Sequence, residues 1–302
     1  MKKNQLGKSE LYVSEIGFGS MSLGNNEDQD IRMIHEAIDR GVNFIDTADL
    51  YGFGKIEETV GKALNGKRED VILATKAGNH WESGKEGWYW DPSKQYIKEA
   101  AKNSLKRLGT DYIDLFQLHG GTIDDPIDET IEAFEELKQE GWIREYGISS
   151  IRPNVIREYT KRSNIASVMM QYSLLDRRPE EAMLSHLEEN EISVIARGPV
   201  AKGMLSENAE EKTPEKGFLD HTKDEVLKVA EKVRKMANED RIAAQIALKY
   251  SLSHPAVATA IPGASRIEQL IENINTTDTQ LTQNEMESLR SLSKANVYDK
   301  HR

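Results

Sequence analysis

Eight short apolar runs rich in β-branched residues alternate with amphipathic helical patterns along 302 residues. The pattern predicts an α/β fold: a (β/α)8 TIM barrel with an N-terminal hairpin and an extra C-terminal helix. Strand–helix alternation implies parallel pairing, because parallel strands need a crossover between them. Eight such units in a chain of this length favour a closed barrel over an open doubly wound sheet. No linker or shift of composition divides the chain, so residues 1–302 are expected to form a single barrel domain.

The elements follow in order. "KNQLGKSELYVSEIG" opens with a hairpin whose turn carries Gly7. The strand segments are "VSEIGFG" (13–19), "VNFID" (42–46), "VILATK" (71–76), "YIDLFQLH" (112–119), "EYGIS" (145–149), "SVMMQY" (167–172), "SVIAR" (193–197) and "VATAIPG" (257–263). Between them, "DIRMIHEAIDRG" places Ile31, Ile34, Ala37 and Ile38 on one stripe and stops at Gly41. "KIEETVGKAL" follows the second strand. "SKQYIKEAAKNSLKRLG" aligns Ile97, Ala101, Leu105 and Leu108, and "PIDETIEAFEELKQEG" aligns Ile127, Ile131, Phe134 and Leu137 behind Pro126. "PNVIREYTKRS", "EAMLSHLEEN" and "SRIEQLIENI" are shorter helices. Segments 77–93 and 198–224 are expected to be long loops, a length that points to binding or motion. "TQNEMESLRSLSKA" is a tail helix expected on the outside of the barrel.

Composition narrows the function. The formal net charge is −11, which argues against nucleic acid or an anionic membrane as a partner. With no cysteine, thiolate metal sites, disulfides and cysteine nucleophiles are excluded. The N-terminus lacks an apolar core of signal-peptide length, and no apolar run would span a membrane. A cytoplasmic location is expected.

In a barrel, chemistry gathers at the C-terminal ends of the strands. The second strand ends at Asp46, with Tyr51 on the turn after it. The third ends at Lys76 and the fourth at His119. Singly, each has an ordinary explanation: a solvated rim lysine, a packed tyrosine, a structural histidine, an aspartate capping a turn. Together, four ionisable groups on neighbouring strand ends are costly to cluster without a use. They suit proton transfer by a phenol. A free tyrosine titrates near 10, and an adjacent ammonium favours its phenolate. Asp46 would hold Lys76, and His119 would orient a substrate oxygen. No metal-ligand spacing is present, so no metal is expected.

"GFGSMS" (17–22) and "GFGK" (52–55) fall short of a Rossmann dinucleotide fingerprint, since the third glycine and the immediate helix are missing. "IPGASRIEQLIEN" (261–273) is a better phosphate site. A strand enters a glycine turn and a helix opens at Ser265–Arg266, offering free N–H groups and a guanidinium fork.

At this level of detail the chain resembles the aldo-keto reductases over nearly its whole length. "NFIDTADLYGFGKIEETVGKAL", "VILATK", "SLKRLGTDYIDLFQLH", "QYSLLDRR" and "AIPGASRIEQLIEN" carry the likeness. The last is similar to the bacterial branch that includes general stress and inositol-locus reductases. The resemblance implies metal-free, reversible NADPH-dependent reduction of aldehydes and ketones, with Asp46, Tyr51, Lys76 and His119 as the catalytic tetrad. Tyr51 would donate the proton while the nicotinamide C4 supplies hydride.

For NADPH (NADP+), the likeness places Ser20, Met21 and Asp46 at the nicotinamide ribose and Ser149 and Gln171 at the carboxamide. The usual asparagine after that serine is Ser150 here. The usual stacking aromatic falls on Arg197, whose guanidinium plane would take its place, followed by Gly198, Val200 and Lys202. At the phosphate end a common Lys-Ser pair reads Gly263-Ala264, while Ser265, Arg266, Gln269, Glu272 and Asn273 keep the pattern. Arg266 is the reason to expect NADPH. Trp81, Trp88 and Trp90, with Tyr89, are candidates for an aromatic substrate wall. A monomer acting on a small carbonyl compound is expected. The alternatives are an NADPH-binding regulatory or sensor subunit with slow turnover, and a barrel hydrolase or aldolase using Lys76 as a Schiff base.

Overall fold

The computed structural model describes residues 1–82 and 84–302; Ser83, within the 77–93 segment, lies outside the described residues. Eight parallel strands form one sheet in chain order: β1 (Phe18–Gly19), β2 (Phe44–Asp46), β3 (Ile72–Ala77), β4 (Ile113–Leu118), β5 (Ile143–Ser149), β6 (Ser167–Gln171), β7 (Ser193–Arg197) and β8 (Val257–Ile261). The ends of that sheet meet. Ile16 bridges in parallel to Ala260, with Gly17 N–H donating to Ala260 O at 2.9 Å and Ala260 N–H donating to Glu15 O at 3.0 Å. The barrel is thereby closed.

The expected first strand, 13–19, is divided. Tyr12–Ser14 pairs antiparallel with Lys3–Gln5 in the hairpin, and only Phe18–Gly19 pairs with β2. Side chains take over the backbone bonding at the bend. Ser14 N–H donates to Asn43 Oδ1 at 2.6 Å, and Ser14 Oγ donates to Ile16 O at 2.7 Å. The hairpin floors the barrel: Leu6, Leu11 and Val13 join Phe44, Ala74, Leu115, Met169, Ile195, Ala258 and Ile261 in one buried cluster.

Helices α1 (Glu27–Asp39), α2 (Lys55–Ala63), α3 (Lys94–Leu108), α4 (Ile127–Gln139), α5 (Pro153–Arg162) and α6 (Met183–Glu189) follow β1 to β6. Their apolar stripes and the outward strand residues form a second, larger core. Local signals start and stop them. Asn26 and Ser93 accept from the backbone at the first turns of α1 and α3, and Gly109 leaves α3 at φ 62°.

Between β7 and β8 the structure departs from the expectation of a bare loop. The 198–224 segment holds a one-turn helix, α7 (Ala209–Lys212), and leads into α8 (Lys223–Lys235) and α9 (Ala243–Ser251). In α8 the stripe Val226, Val229, Ala230 and Val233 is buried behind a Thr222–Glu225 capping box. The phosphate-turn helix, α10 (Ile267–Ile274), starts one residue later than its sequence suggests, because Arg266 has extended backbone and caps it. The tail helix, α11 (Gln283–Leu292), packs beside α8 with Leu289 in the outer core.

Candidate active site

The C-terminal ends of β2, β3 and β4 bring Asp46, Lys76 and His119 together, and the turn after β2 adds Tyr51. Lys76 is fully buried and Asp46 is 2% exposed. Lys76 Nζ donates to Asp46 Oδ2 at 2.8 Å and to the backbone O of Thr47 at 2.6 Å. It lies 3.5 Å from the Tyr51 hydroxyl. The Tyr51 and His119 rings meet edge to face, 5.9 Å apart. The turn that follows Tyr51 is tight: Phe53 sits at φ 51° between two glycines with positive φ.

The electrostatics of the cluster are lopsided. Burial opposes the charge on Lys76, but Asp46 and Tyr51 outweigh it and hold the ammonium above its ordinary range. Burial pushes the His119 imidazole down to about 3, with the charges of Lys76 and Arg197 pushing the same way. His119 is therefore neutral. Behind the cluster lies a second buried carboxyl, Asp49, pushed up to about 8 by burial and then by Glu57. Tyr96 OH donates to it at 3.4 Å. Glu57 itself accepts from Thr75 at 2.6 Å and pairs with Arg107 at 2.7 Å.

Several buried polar atoms at these strand ends have no protein partner among the described residues, among them Ser20 Oγ, Asp46 Oδ1, Thr47 Oγ1 and His119 Nδ1, with Asp49 Oδ1 and the Gln117 amide nearby. Buried groups of this kind are ordinarily satisfied. They fit a polar ligand such as the ribose and carboxamide end of a nicotinamide nucleotide.

The other sequence-derived positions lie on the same rim. Met21 is exposed after β1, and Ser149 ends β5. Gln171 and Arg197 end β6 and β7, where Arg197 Nη1 donates to Gln171 Oε1 at 3.0 Å. The loop after β7 carries Gly198, Val200 and Lys202; Ala201 and Lys202 both adopt positive φ, 46° and 57°, a strain that collects at functional loops. After β8, Ser265 and Arg266 are exposed. Gln269 Oε1 accepts from Ser265 N–H at 3.1 Å, and Asn273 Nδ2 donates to Gly263 O at 3.3 Å. Glu272 offers its backbone O to Gln245 at 2.9 Å and its side chain to solvent.

The three tryptophans part company. Trp90 stands against the ends of β3 and β4, its indole N–H on Asp125 at 3.1 Å. It fits only because residues 78 and 120 are glycines: an added Cβ would come within 2.7 Å and 3.1 Å of its ring. Trp81 packs edge-on to Phe53 at 5.7 Å and under Arg107 at 5.5 Å. Trp88 is 54% exposed. His80, stacked between Tyr96 and Tyr89 at 4.1 and 4.6 Å, ties the segment down. The sequence reading assigned no role to Asp49, Asp176 or Arg178; the run "DRR" after β6 was the available signal for the last two.

A closed barrel with this Asp–Lys pair, phenol and neutral imidazole at its mouth has the makings of a carbonyl-reducing site. The chain belongs to the aldo-keto reductases: the pattern of the "Aldo/keto reductase family" matches residues 15–294. It is 56% identical, over the full length of both chains, to an uncharacterized oxidoreductase, YqkF, of Bacillus subtilis (strain 168). The holo form of the aldo-keto reductase AKR11C1 from Bacillus halodurans is 57% identical and superposes with a TM-score of 0.94, covering 100% of this chain and 99% of that one. An aldo/keto reductase from Klebsiella pneumoniae in complex with NADP and acetate is 29% identical, with a TM-score of 0.79 over 99% and 98% of the two chains.

Proposed function

We propose that this chain reduces aldehydes and ketones to alcohols, reversibly and without metal, with NADPH as reductant. The observation that carries the reading is the fully buried Lys76 ammonium, 2.8 Å from Asp46 and 3.5 Å from the Tyr51 hydroxyl. When bound, the nicotinamide supplies the hydride. The protein supplies the proton and the field. Tyr51 OH donates to the carbonyl oxygen, and the Lys76 charge stabilises the phenolate left behind. Asp46 keeps Lys76 in place, and Thr47 O takes another of its three donors. Neutral His119 remains a one-proton donor to the same oxygen, so Tyr51 and His119 together stabilise the developing alkoxide.

Ser20, Ser149, Gln171 and Arg197 would take the nicotinamide end. Ser265, Arg266 and the start of α10 would take the 2′-phosphate, which supports NADPH over NADH. A Schiff-base role for Lys76 is disfavoured, because such a lysine must lose its proton and this one is held charged.

The test is oxidation of NADPH and of NADH by the purified protein with an activated aromatic aldehyde, beside Tyr51→Phe. Turnover that needs Tyr51 and prefers NADPH is the expected result. Turnover that survives Tyr51→Phe would overturn the mechanism, and tight NADPH binding without turnover on any aldehyde would favour a sensor subunit.

A further inference from the structure

Beside the proposed nicotinamide position runs a series of polar side chains whose inner members are spoken for on both sides. Arg197 donates to Gln171 Oε1 at 3.0 Å, and Gln171 Nε2 donates to Asp176 Oδ2 at 2.8 Å. Asp176, fully buried, accepts a two-pronged pair from Arg178, Nε on Oδ1 and Nη2 on Oδ2, both at 2.7 Å. The Arg178 guanidinium lies 5.1 Å from the ring of Tyr298 in the C-terminal tail. The Asp176 backbone is pinned as well: its N–H donates to Ser173 O at 3.0 Å, and its O accepts from Ser173 N–H at 3.2 Å.

The charges decide which way the Gln171 amide points. Its NH2 group faces a carboxylate and its oxygen faces a guanidinium. The reversed amide would set donor against donor and acceptor against acceptor. Arg197 has no carboxylate partner of its own among the described residues, so the amide is its link to one. Burial lowers the pKa of Arg197, and the Asp176 charge is among the influences that raise it.

We propose that Asp176 is a positioning residue of the cofactor site: acting through the Gln171 amide, it holds the Arg197 guanidinium in the orientation that meets the nicotinamide. The inference rests on the reading above that Arg197 occupies the nicotinamide face. Asp176→Asn replaces one acceptor oxygen with a donor. The new NH2 group faces the N–H donors of Arg178 and Gln171, which then compete for the single remaining oxygen; the Gln171 amide turns, and Arg197 is released.

The experiment is NADPH binding to the full-length protein, read from quenching of tryptophan fluorescence, for Asp176→Asn, Arg197→Met and the double variant. Each single change is expected to weaken NADPH binding about tenfold, the scale of one charge-assisted hydrogen bond. The double variant is expected to be no weaker than Arg197→Met alone, because the two residues act as one unit. The KM for aldehyde at saturating NADPH is expected to stay within about twofold. Wild-type binding by Asp176→Asn, or full additivity in the double variant, overturns the proposal. Wild-type binding by Arg197→Met overturns the nicotinamide assignment itself, and this proposal with it. Should Asp176→Asn fail to fold, Arg178→Gln weakens the same carboxylate from its other side, and the cycle with Arg197→Met is read in the same way.

Discussion

The ammonium of Lys76 and the carboxylate of Asp46 form an ion pair 2.8 Å long with almost no exposure to solvent. Removing one member of such a pair strands the other and costs about 3–5 kcal/mol, whereas replacing both by apolar groups is often neutral. Lys76→Met and Asp46→Leu are each expected to lower the unfolding midpoint sharply. The double variant is expected to regain most of that loss and remain inactive. Calorimetry and the NADPH assay check both halves, and a double variant no more stable than either single one would contradict the account.

Tyr51→Phe removes a hydroxyl and nothing else. If that hydroxyl is the proton donor, kcat is expected to fall by about 10²–10⁴, the usual reach of general acid catalysis. NADPH binding, measured by fluorescence, is expected to change by less than about twofold, since the residue acts on the substrate oxygen.

His119 is held neutral, its imidazole pushed down to about 3. The pH–rate profile of kcat/KM is therefore expected to show no inflection of His119 between about pH 5.5 and 8. The same depression shapes stability. Below the ordinary histidine value near 6.5 the unfolded chain takes up a proton that the folded chain refuses, so stability falls as pH drops towards 3. His119→Gln is expected to remove that share of the acid sensitivity, as read from urea midpoints at several pH values.

Asp49 has the opposite sign. Its folded value of about 8 lies above its ordinary value of 3.8. The folded state keeps a proton that the unfolded state gives up above 3.8, so this contribution to stability is lost progressively as pH rises from about 4 and is gone above about 8. Asp49→Asn mimics the protonated form and is expected to flatten the share of the decline in melting temperature that Asp49 contributes between about pH 4 and 8. A wild-type slope in that variant would show that Asp49 is ionised in the fold.

Arg266 caps α10 with extended backbone and is exposed. If it holds the 2′-phosphate, Arg266→Ser is expected to raise the KM for NADPH at least about tenfold, the scale of a charge-assisted contact, and leave that for NADH unchanged. Equal effects on the two cofactors would remove the basis for preferring NADPH.

The barrel was legible because its signals are local. Each strand is an apolar run, and each of Asp46, Lys76 and His119 sits where such a run stops. The helix α8 was not read from the sequence: its stripe Val226, Val229, Ala230 and Val233 is masked by the many charges around it and by the neighbouring loop rich in Gly, Lys and Glu. The division of 13–19 was not legible, since the bend depends on Asn43, a residue 29 positions away from Ser14. The separate surroundings of Trp81, Trp88 and Trp90 depend on what other loops place beneath them: Gly120 and Asp125 for one ring, Phe53 and Arg107 for another.

The sequence by itself determined the order of the strands and of the helices other than α7, α8 and α9, the family, and the types of residue at each strand end. The elements and strand-end residues follow from periodicity and spacing between chain neighbours, and the family from the likeness of whole motifs. Only the tertiary structure decided which groups meet, and in what state. Lys76 stays charged and His119 neutral because closure buries both and places Asp46 beside the first alone. Arg197 is linked to Asp176 because β6 and β7 are adjacent and Gln171 spans the gap. Burial and distance are properties of the closed barrel, and no window of sequence contains them.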